Sequence, residues 1–458
     1  MKKTIERICD FAETDAFLIA CFLVAYGFIA VDLAAVGVCI LLAVVTFLFI
    51  ASDDFMLAIP PVLMLACGFF LCTEEVFLFF ALIPAVLALL YRAIQNFRRL
   101  RGRTLYSLPG VIAVAVAVTL SGLFVQTPEE YFSPIPLLCT LCLGIAAIFV
   151  YLFVRGGMAV ERRYNVRDRA AVSMYLAGIL FAFIILRLFL VESELWGAED
   201  VGEMLSAMAW WRNGVATLLV MILPFITYFA VTRHPAHMLS VFLVYGAGVI
   251  SGSRGMAVCG TVTLLICCVY FVCYRRKWRV PFLICLAAAL ALGFVFRGAI
   301  LDFCQHFLRF KLDIESLLQE DRVKFFFRSI EDFLHHPLFG VGFGYRGNYD
   351  IHVLVVNWYH SLLPQIIGGS GIVGILAYGY QGYLRTRLIL SAPRAPFGWA
   401  LILSYLSILI YSQIDPGLSS PFALVAVIEF ALLEEESHPR PLFGRKKKVA
   451  AEPSAVTA

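Results

Sequence analysis

Arg254 in Ser251-Gly252-Ser253-Arg254-Gly255, Arg322 after Asp321, and His360 before Ser361 are the residues whose types could do chemistry together. An arginine fork binds phosphate oxygens bidentately and keeps its charge near lipid. An imidazole titrates near neutrality, so it can accept a hydroxyl proton or hold that hydroxyl for attack. On one side of a bilayer, two such cations and one such base can bind a pyrophosphate and handle a proton. Fixed cations would matter most as negative charge grows on a departing pyrophosphate, because they stabilise that state more than the ground state. No Asp-x-Asp cation site is evident on the same side, so the arginines, with no metal and no cofactor, are expected to neutralise the anion.

Each of these residues also has a plainer reading. Arg254 can snorkel from a helix end. Arg322 can be one charge on a solvated face beside Asp321, Lys324 and Arg328. His360 can cap a helix, and His306, His335, His336 and His352 share its side, with at most one expected to act as base. Arg328, Ser361 and Asp415 are candidates for support. Arg187, inside an apolar run near Glu192, is a functional candidate by default, but a structural ion pair serves it equally well. Gly340, Gly342 and Gly344, in His335-His336-Pro337-Leu338-Phe339-Gly340-Val341-Gly342-Phe343-Gly344, neither follow a strand nor open a helix, so they form no dinucleotide fingerprint. They allow a tight, irregular passage, and Gly369, Gly371 and Gly374 suit close helix packing.

A membrane bundle must position these side chains. Of 458 residues 61% are hydrophobic and only 15% charged, with mean hydropathy +0.88, far from soluble composition. Apolar stretches able to cross a core of about 30 Å lie at 14–31, 33–50, 55–72, 76–92, 107–125, 135–154, 171–191, 213–232, 237–251, 256–274, 280–297, 358–380, 397–414 and 418–434. The expected fold is an all-α polytopic membrane protein with 12 to 14 transmembrane helices. On that assignment 26 of the 36 basic residues fall on one face, nine on the other and Arg187 within a helix. The positive-inside rule makes the first face cytoplasmic, with both termini on it. A net charge of +4 without a basic, aromatic-interleaved groove argues for topology and against nucleic acid. The 13 cysteines lie mostly in apolar runs with no metal-like spacing and read as small buried hydrophobes. Met1-Lys2-Lys3 before an apolar run suggests an uncleaved first anchor.

The expected organisation is transmembrane helices over 1–297, a large extracytoplasmic loop over 298–357, C-terminal helices over 358–434 and a basic cytoplasmic tail over 435–458. Within the loop, Phe326, Ile330, Phe333 and Leu334 form one apolar helical face that would lie on the membrane or on the bundle. His336 before Pro337 should end that helix. Helices of the middle and C-terminal thirds are expected to surround a lipid-open cavity capped by it.

In order, Ser-Arg-Gly at a helix end, an arginine opening an amphipathic helix, His-Pro-Leu-Phe-Gly-Val-Gly-Phe-Gly, then His-Ser-x-Leu and Gly-Gly-Ser-Gly-Ile-Val-Gly occupy residues 251–374. This pattern resembles the O-antigen ligase and O-antigen polymerase family, with Ser361 where the family more often has asparagine. The resemblance implies a GT-C-like bundle in the bacterial cytoplasmic membrane. It implies a glycosyltransferase that takes a glycan from an undecaprenyl-pyrophosphate carrier and joins it to an acceptor hydroxyl, on a glycan or a lipid-linked acceptor, at the outer face. Arg254 and Arg322 would hold the pyrophosphate and His360 would be the base. Two other classes compete: a transporter or flippase of a lipid-linked saccharide, which needs a charged cavity but no base, and a non-catalytic scaffold of envelope assembly. No inverted repeat with broken helices, the mark of many transporters, is visible. Polymerase and ligase share donor chemistry, so the sequence does not separate them.

The charge bias makes a topological prediction. In a cysteine-free background, Asn348→Cys should react with an impermeant thiol reagent in intact cells, and cysteines beside Arg99, Arg163 or Arg276 only after permeabilisation. Labelling of position 348 only after permeabilisation would overturn both the topology and the site.

Overall fold

A chain this apolar must pair its backbone polar groups internally, and among the described residues it does so entirely as helix and turn. The computed structural model describes residues 2–71, 77–100, 103–124, 134–158, 160, 162–191, 212–303, 305, 321–342, 359–415, 417–419 and 422–437. The helices are α1 (Lys2–Ala12), α2 (Asp15–Ala30), α3 (Ala34–Ala51), α4 (Ile59–Leu71), α5 (Phe77–Phe97), α6 (Leu108–Leu123), α7 (Pro134–Gly157) and α8 (Val166–Val191). Then come α9 (Arg212–Thr232), α10 (His237–Ile250), a π turn (Met256–Gly260) leading into α11 (Thr261–Tyr274), α12 (Arg279–Val295) and α13 (Arg297–Asp302). Last are α14 (Asp321–His335), α15 (Leu362–Ser391), α16 (Pro396–Tyr411) and α17 (Ala423–Ser437). Each of the fourteen expected apolar stretches falls on one helix, α2 to α12 and α15 to α17. By length and composition seven helices can cross a membrane, and six more apolar helices are shorter. The amphipathic α1, which the sequence reading did not anticipate, precedes them.

Periodicity decides depth. Helix α9 is apolar around its whole circumference, and 94% of its membrane-length window is buried, against α8, α10, α11 and α16. Inside it the buried Thr217 and Thr227 hydroxyls donate to the Asn213 and Leu223 carbonyls at 2.8 and 2.9 Å, so neither is left unsatisfied. Helix α12 is the opposite case, with none of its window buried, and its apolar surface faces outward.

One end of the bundle is a layer of ion pairs. Arg162 pairs with Asp54 at 2.9 Å, Arg155 with Glu435 at 2.6 Å, Arg167 with Glu436 at 2.7 Å and Arg233 with Asp168 at 2.6 Å. The buried Glu434 carboxylate accepts from the backbone N–H groups of Tyr106 and Ser107, at 2.7 and 3.1 Å, just before α6. It thereby binds the N-terminus of α6 to the C-terminal helix. Burial raises the Tyr164 phenol above its ordinary value, and the Asp54 carboxylate to which it donates raises it further. These contacts gather the basic segments after α5, α7 and α9 into one layer. Arg187 belongs elsewhere and is structural: it donates to the Ala30 carbonyl at 2.9 Å and pairs with Asp32 at 3.4 Å. Its expected neighbour Glu192 lies outside the described residues.

The feature that positions the site is a break in α15. At Gly371 the backbone has φ 59° and ψ −152°, a conformation essentially restricted to glycine. The turn after α14 enters this break. Ile372 N–H donates to the Pro337 carbonyl at 2.8 Å and Val373 N–H to the Leu338 carbonyl at 3.2 Å, while Val341 N–H donates to the Gly368 carbonyl at 2.9 Å. The two backbones touch: a Cβ on Gly371 would lie 2.5 Å from the Pro337 oxygen, and one on Gly340 2.3 Å from the Gly368 oxygen. Gly340 and Gly342 have positive φ, as the irregular passage read from the sequence requires, whereas Gly344 lies outside the described residues.

Gly371→Ala should therefore destabilise the protein by about 1–3 kcal/mol from backbone conformation alone, with the clash added. Gly379→Ala, whose Cβ meets nothing within 4 Å, should be neutral. Unfolding midpoints of the purified proteins in detergent would compare the two, and equal midpoints would refute the docking.

Candidate functional site

Arg254 owes its position to a short turn. After α10, Gly252 takes φ 77°, and the Ser253 hydroxyl accepts from the Met256 N–H at 3.3 Å, as an N-cap does. Arg254 is thus in the first turn of the next helix, where the partial positive charge of the helix N-terminus adds to its own. The π turn follows directly, a local distortion common at functional sites. Gly255 presses on the Tyr411 ring, to which a Cβ there would come within 2.8 Å. The Tyr411 hydroxyl donates to the Asn213 carbonyl at 3.2 Å and lies 3.4 Å from the Ser253 hydroxyl. So the arginine turn is packed on the end of α16.

Arg322 arrives on α14, whose last residue is His335, two before Pro337. The side of α14 that meets α15 carries Phe325, Ser329 and Asp332, and the apolar side carries Phe326, Phe327 and Leu334 in the open. Of the expected apolar face, Phe326 and Leu334 are exposed while Ile330 and Phe333 are half-buried, so the face is turned only partly outward. The reason is the polar lock on the other side. The buried Tyr359 hydroxyl donates to Asp332 Oδ2 at 2.5 Å, and Arg328 Nε lies 3.2 Å from Asp332 Oδ1. Arg328 also pairs with Glu331 at 3.0 Å. Its support is thus to the docking of α14. The Arg322 guanidinium, by contrast, lies within electrostatic reach of Tyr411 and Cys259.

His360 is one of two non-glycine residues with positive φ among those described, at 54°. Such a conformation costs of the order of 1 kcal/mol and persists only where neighbours impose it. Here the imposing contacts are the Tyr359 N–H to Gln365 Oε1 at 3.0 Å and the Leu362 N–H to the Ser412 carbonyl at 2.6 Å. The imidazole stacks on Phe325 with ring centroids 5.7 Å apart, and its Nδ1 lies 4.0 Å from Asp415 Oδ1. Asp415 is buried, and among the described residues its Oδ2 has no hydrogen-bond partner. Ser361 occupies the N-cap of α15 without a side-chain cap bond.

The contacts bring the sequence-derived residues to one place. Arg254 lies between Ser253 and Gly255, both against Tyr411; Arg322 acts on Tyr411; His360 faces Asp415; and the Asp415 N–H donates to the Tyr411 carbonyl at 3.1 Å. The shared centre is the turn that ends α16. His335 and His336 lie at the far end of α14, whereas His306 and His352 are outside the described residues. Sequence reasoning missed Tyr411, Phe325, Asp332 and Tyr359. An aromatic or a carboxylate on a helix gives no signal of its own, and Gly371, which the sequence reading assigns with Gly369 and Gly374 to close helix packing, is instead the point where α15 breaks.

A cavity of about 590 Å³ runs beside this centre, with Leu362 and Leu418 at one end and Arg385 and Thr386 at the other. Helices α15 to α17 line it as expected, but α6 and α7 supply the opposite wall in place of the middle-third helices. Those two enter because α6 packs along α15, where Gly110 lets the backbones approach.

Fold and site define a multi-pass membrane protein of helical build that concentrates two arginines and a histidine at one end. A family model described as O-antigen ligase matches residues 238–379, a span that holds Arg254, Arg322, His360 and the glycine break. Over that span the chain is similar to the O-antigen ligase family. No curated protein and no solved structure matches it.

If Asp332 and Tyr359 lock α14, Tyr359→Phe should leave a buried carboxylate oxygen short of a donor, at about 1–3 kcal/mol. Limited proteolysis within 321–342 should then be faster than in the unaltered protein, and equal cleavage rates would show that the lock does not hold α14.

Proposed function

We propose that the protein is a glycosyltransferase of the outer face of the cytoplasmic membrane, transferring or polymerising a glycan carried on undecaprenyl pyrophosphate. What supports this reading is that His360 faces Asp415, that Gly255 beside Arg254 packs on Tyr411 and that Arg322 lies within electrostatic reach of Tyr411, with all three basic residues inside the segment that matches the O-antigen ligase family. Arg254 and Arg322 bind the pyrophosphate, assisted by the helix N-terminus at Arg254. The acceptor hydroxyl oxygen attacks the anomeric carbon. The bond from that carbon to the pyrophosphate oxygen breaks, and the lipid pyrophosphate leaves with the electron pair. His360 takes the hydroxyl proton, and Asp415, on its Nδ1 side, holds the ring and favours the imidazolium that forms. Ser361 and Arg328 act through position alone. The 298–357 segment is then the extracytoplasmic loop, and the ion-pair layer at the other end faces the cytoplasm.

The test is transfer from a purified polyprenyl-pyrophosphate glycan to acceptor in liposomes. His360→Ala should insert and fold yet lose about 10²- to 10⁴-fold in rate. Arg254→Lys and Arg322→Lys should each lose about tenfold or more, because lysine keeps the charge but not the bidentate fork. Chelator should leave the rate unchanged. Full activity of His360→Ala would dispose of the base, and abolition by chelator would move the chemistry to a metal.

A further inference from the structure

The cavity beside the site has a cation at the wrong end for the transfer reaction. Arg385 lies on α15, 23 residues beyond Leu362 (385 minus 362) and past the break at Gly371; at 1.5 Å per residue the two are at most about 35 Å apart, on the scale of a hydrocarbon core of about 30 Å. It is only 8% exposed and lines the cavity. Its guanidinium lies over Tyr405, with the ring centre at 5.2 Å, and over Phe430, at 4.8 Å, two rings that meet edge to face with centroids 4.6 Å apart. These rings fix the plane of the fork but accept none of its hydrogen bonds along their edges. Among the described residues the guanidinium donates no hydrogen bond and forms no ion pair. The Glu429 carboxyl on α17 is within electrostatic reach but not in ion-pair contact, and instead accepts from the Ser404 hydroxyl. Gln381 and Thr386 add the other polar groups at this end. The remaining wall is apolar, from Val111 and Ala115 on α6 to Leu406 on α16, and Gly379 and Gly382 widen it.

A buried arginine whose donors point into an apolar groove calls for an anion with a hydrocarbon body. A bare anion would have to leave water for an apolar channel, and an uncharged lipid would leave the fork unsatisfied. A polyprenyl donor with its pyrophosphate near His360 would bring only its tail toward Arg385, which satisfies nothing there. We propose that this groove binds a phospholipid from the leaflet opposite the transfer site. Its phosphate is held by the Arg385 fork, beside Gln381 and Thr386, and an acyl chain lies between α6 and α15. Bidentate phosphate recognition is what the fixed guanidinium plane is suited to. The volume, about 590 Å³, is within the usual range of ligand cavities, about 300–1,000 Å³.

The site rests on the transferase reading only for its leaflet and for the exclusion of the donor, and its test measures no activity, so the two can fail separately. Purified protein would be delipidated, loaded with dioleoyl phosphatidylglycerol, dioleoylglycerol or undecaprenyl phosphate, and analysed by native mass spectrometry. The unaltered protein should retain phosphatidylglycerol about tenfold or more over dioleoylglycerol, the difference a charge-assisted phosphate contact gives. Arg385→Gln should abolish that preference, and Arg387→Gln, an exposed neighbour, should preserve it. Gly382→Leu places a side chain in open space and keeps the charge, so it should fold normally and release phosphatidylglycerol; it decides the matter if Arg385→Gln fails to fold. Unaltered retention in both Arg385→Gln and Gly382→Leu would overturn the site. Arg385-dependent retention of undecaprenyl phosphate in preference to phosphatidylglycerol would overturn its assignment to a bilayer phospholipid.

Discussion

Backbone groups inside a membrane have no water to turn to, so a helix can break there only if another piece of chain supplies the missing hydrogen bonds. The break at Gly371 is satisfied in this way. The carbonyls of Pro337 and Leu338 take the N–H groups of Ile372 and Val373, and the Gly368 carbonyl takes that of Val341. Because the exchange is between backbones, it tolerates no Cβ at Gly340 or Gly371. It also fixes where α14 ends, and hence where Phe325 and Arg322 stand on the end of the bundle. The stack of Phe325 on His360 follows from that docking. So does the outward exposure of Phe327 and Leu334, since the side of α14 against α15 is taken by Ser329 and Asp332.

Charge is divided between the two ends of the molecule. At one end many arginines have a carboxylate: Arg155, Arg162, Arg167 and Arg233 pair with Glu435, Asp54, Glu436 and Asp168. Such pairs tie loops together and leave little field for a ligand. At the other end, the turn that carries Arg254 packs on Tyr411, Arg322 lies within its electrostatic reach, and the buried Asp415 is set against the histidine. Cations grouped around a small, partly enclosed centre act more strongly on an anion than the same charges would in water. Arg385 shares that character, since rings and not carboxylates flank it, although it sits at the opposite end of the cavity.

How far the sequence could be read depended on the kind of signal. Fourteen apolar stretches gave fourteen helices because crossing a hydrocarbon layer imposes length and composition on each segment separately. The stop at His336-Pro337 was equally local, and α14 ends at His335. Arg254, Arg322 and His360 stood out because charge and imidazole are rare near apolar runs and because they fell in a recognisable order. Arg328 also stood out by type, but its partners Glu331 and Asp332 make it a fixture of α14, a distinction of geometry and not of residue type.

By itself the sequence determined that this is an all-helical membrane protein and where its apolar helices lie, because hydropathy acts segment by segment. Only the tertiary structure decided that Gly371 breaks α15 to receive the Gly340 turn. It alone showed that Asp415 faces His360, that Tyr411 is the shared floor, and that α6 and α7 wall the cavity. These are contacts between segments far apart in the chain, and which faces of packed helices meet is set by the packing of the whole bundle.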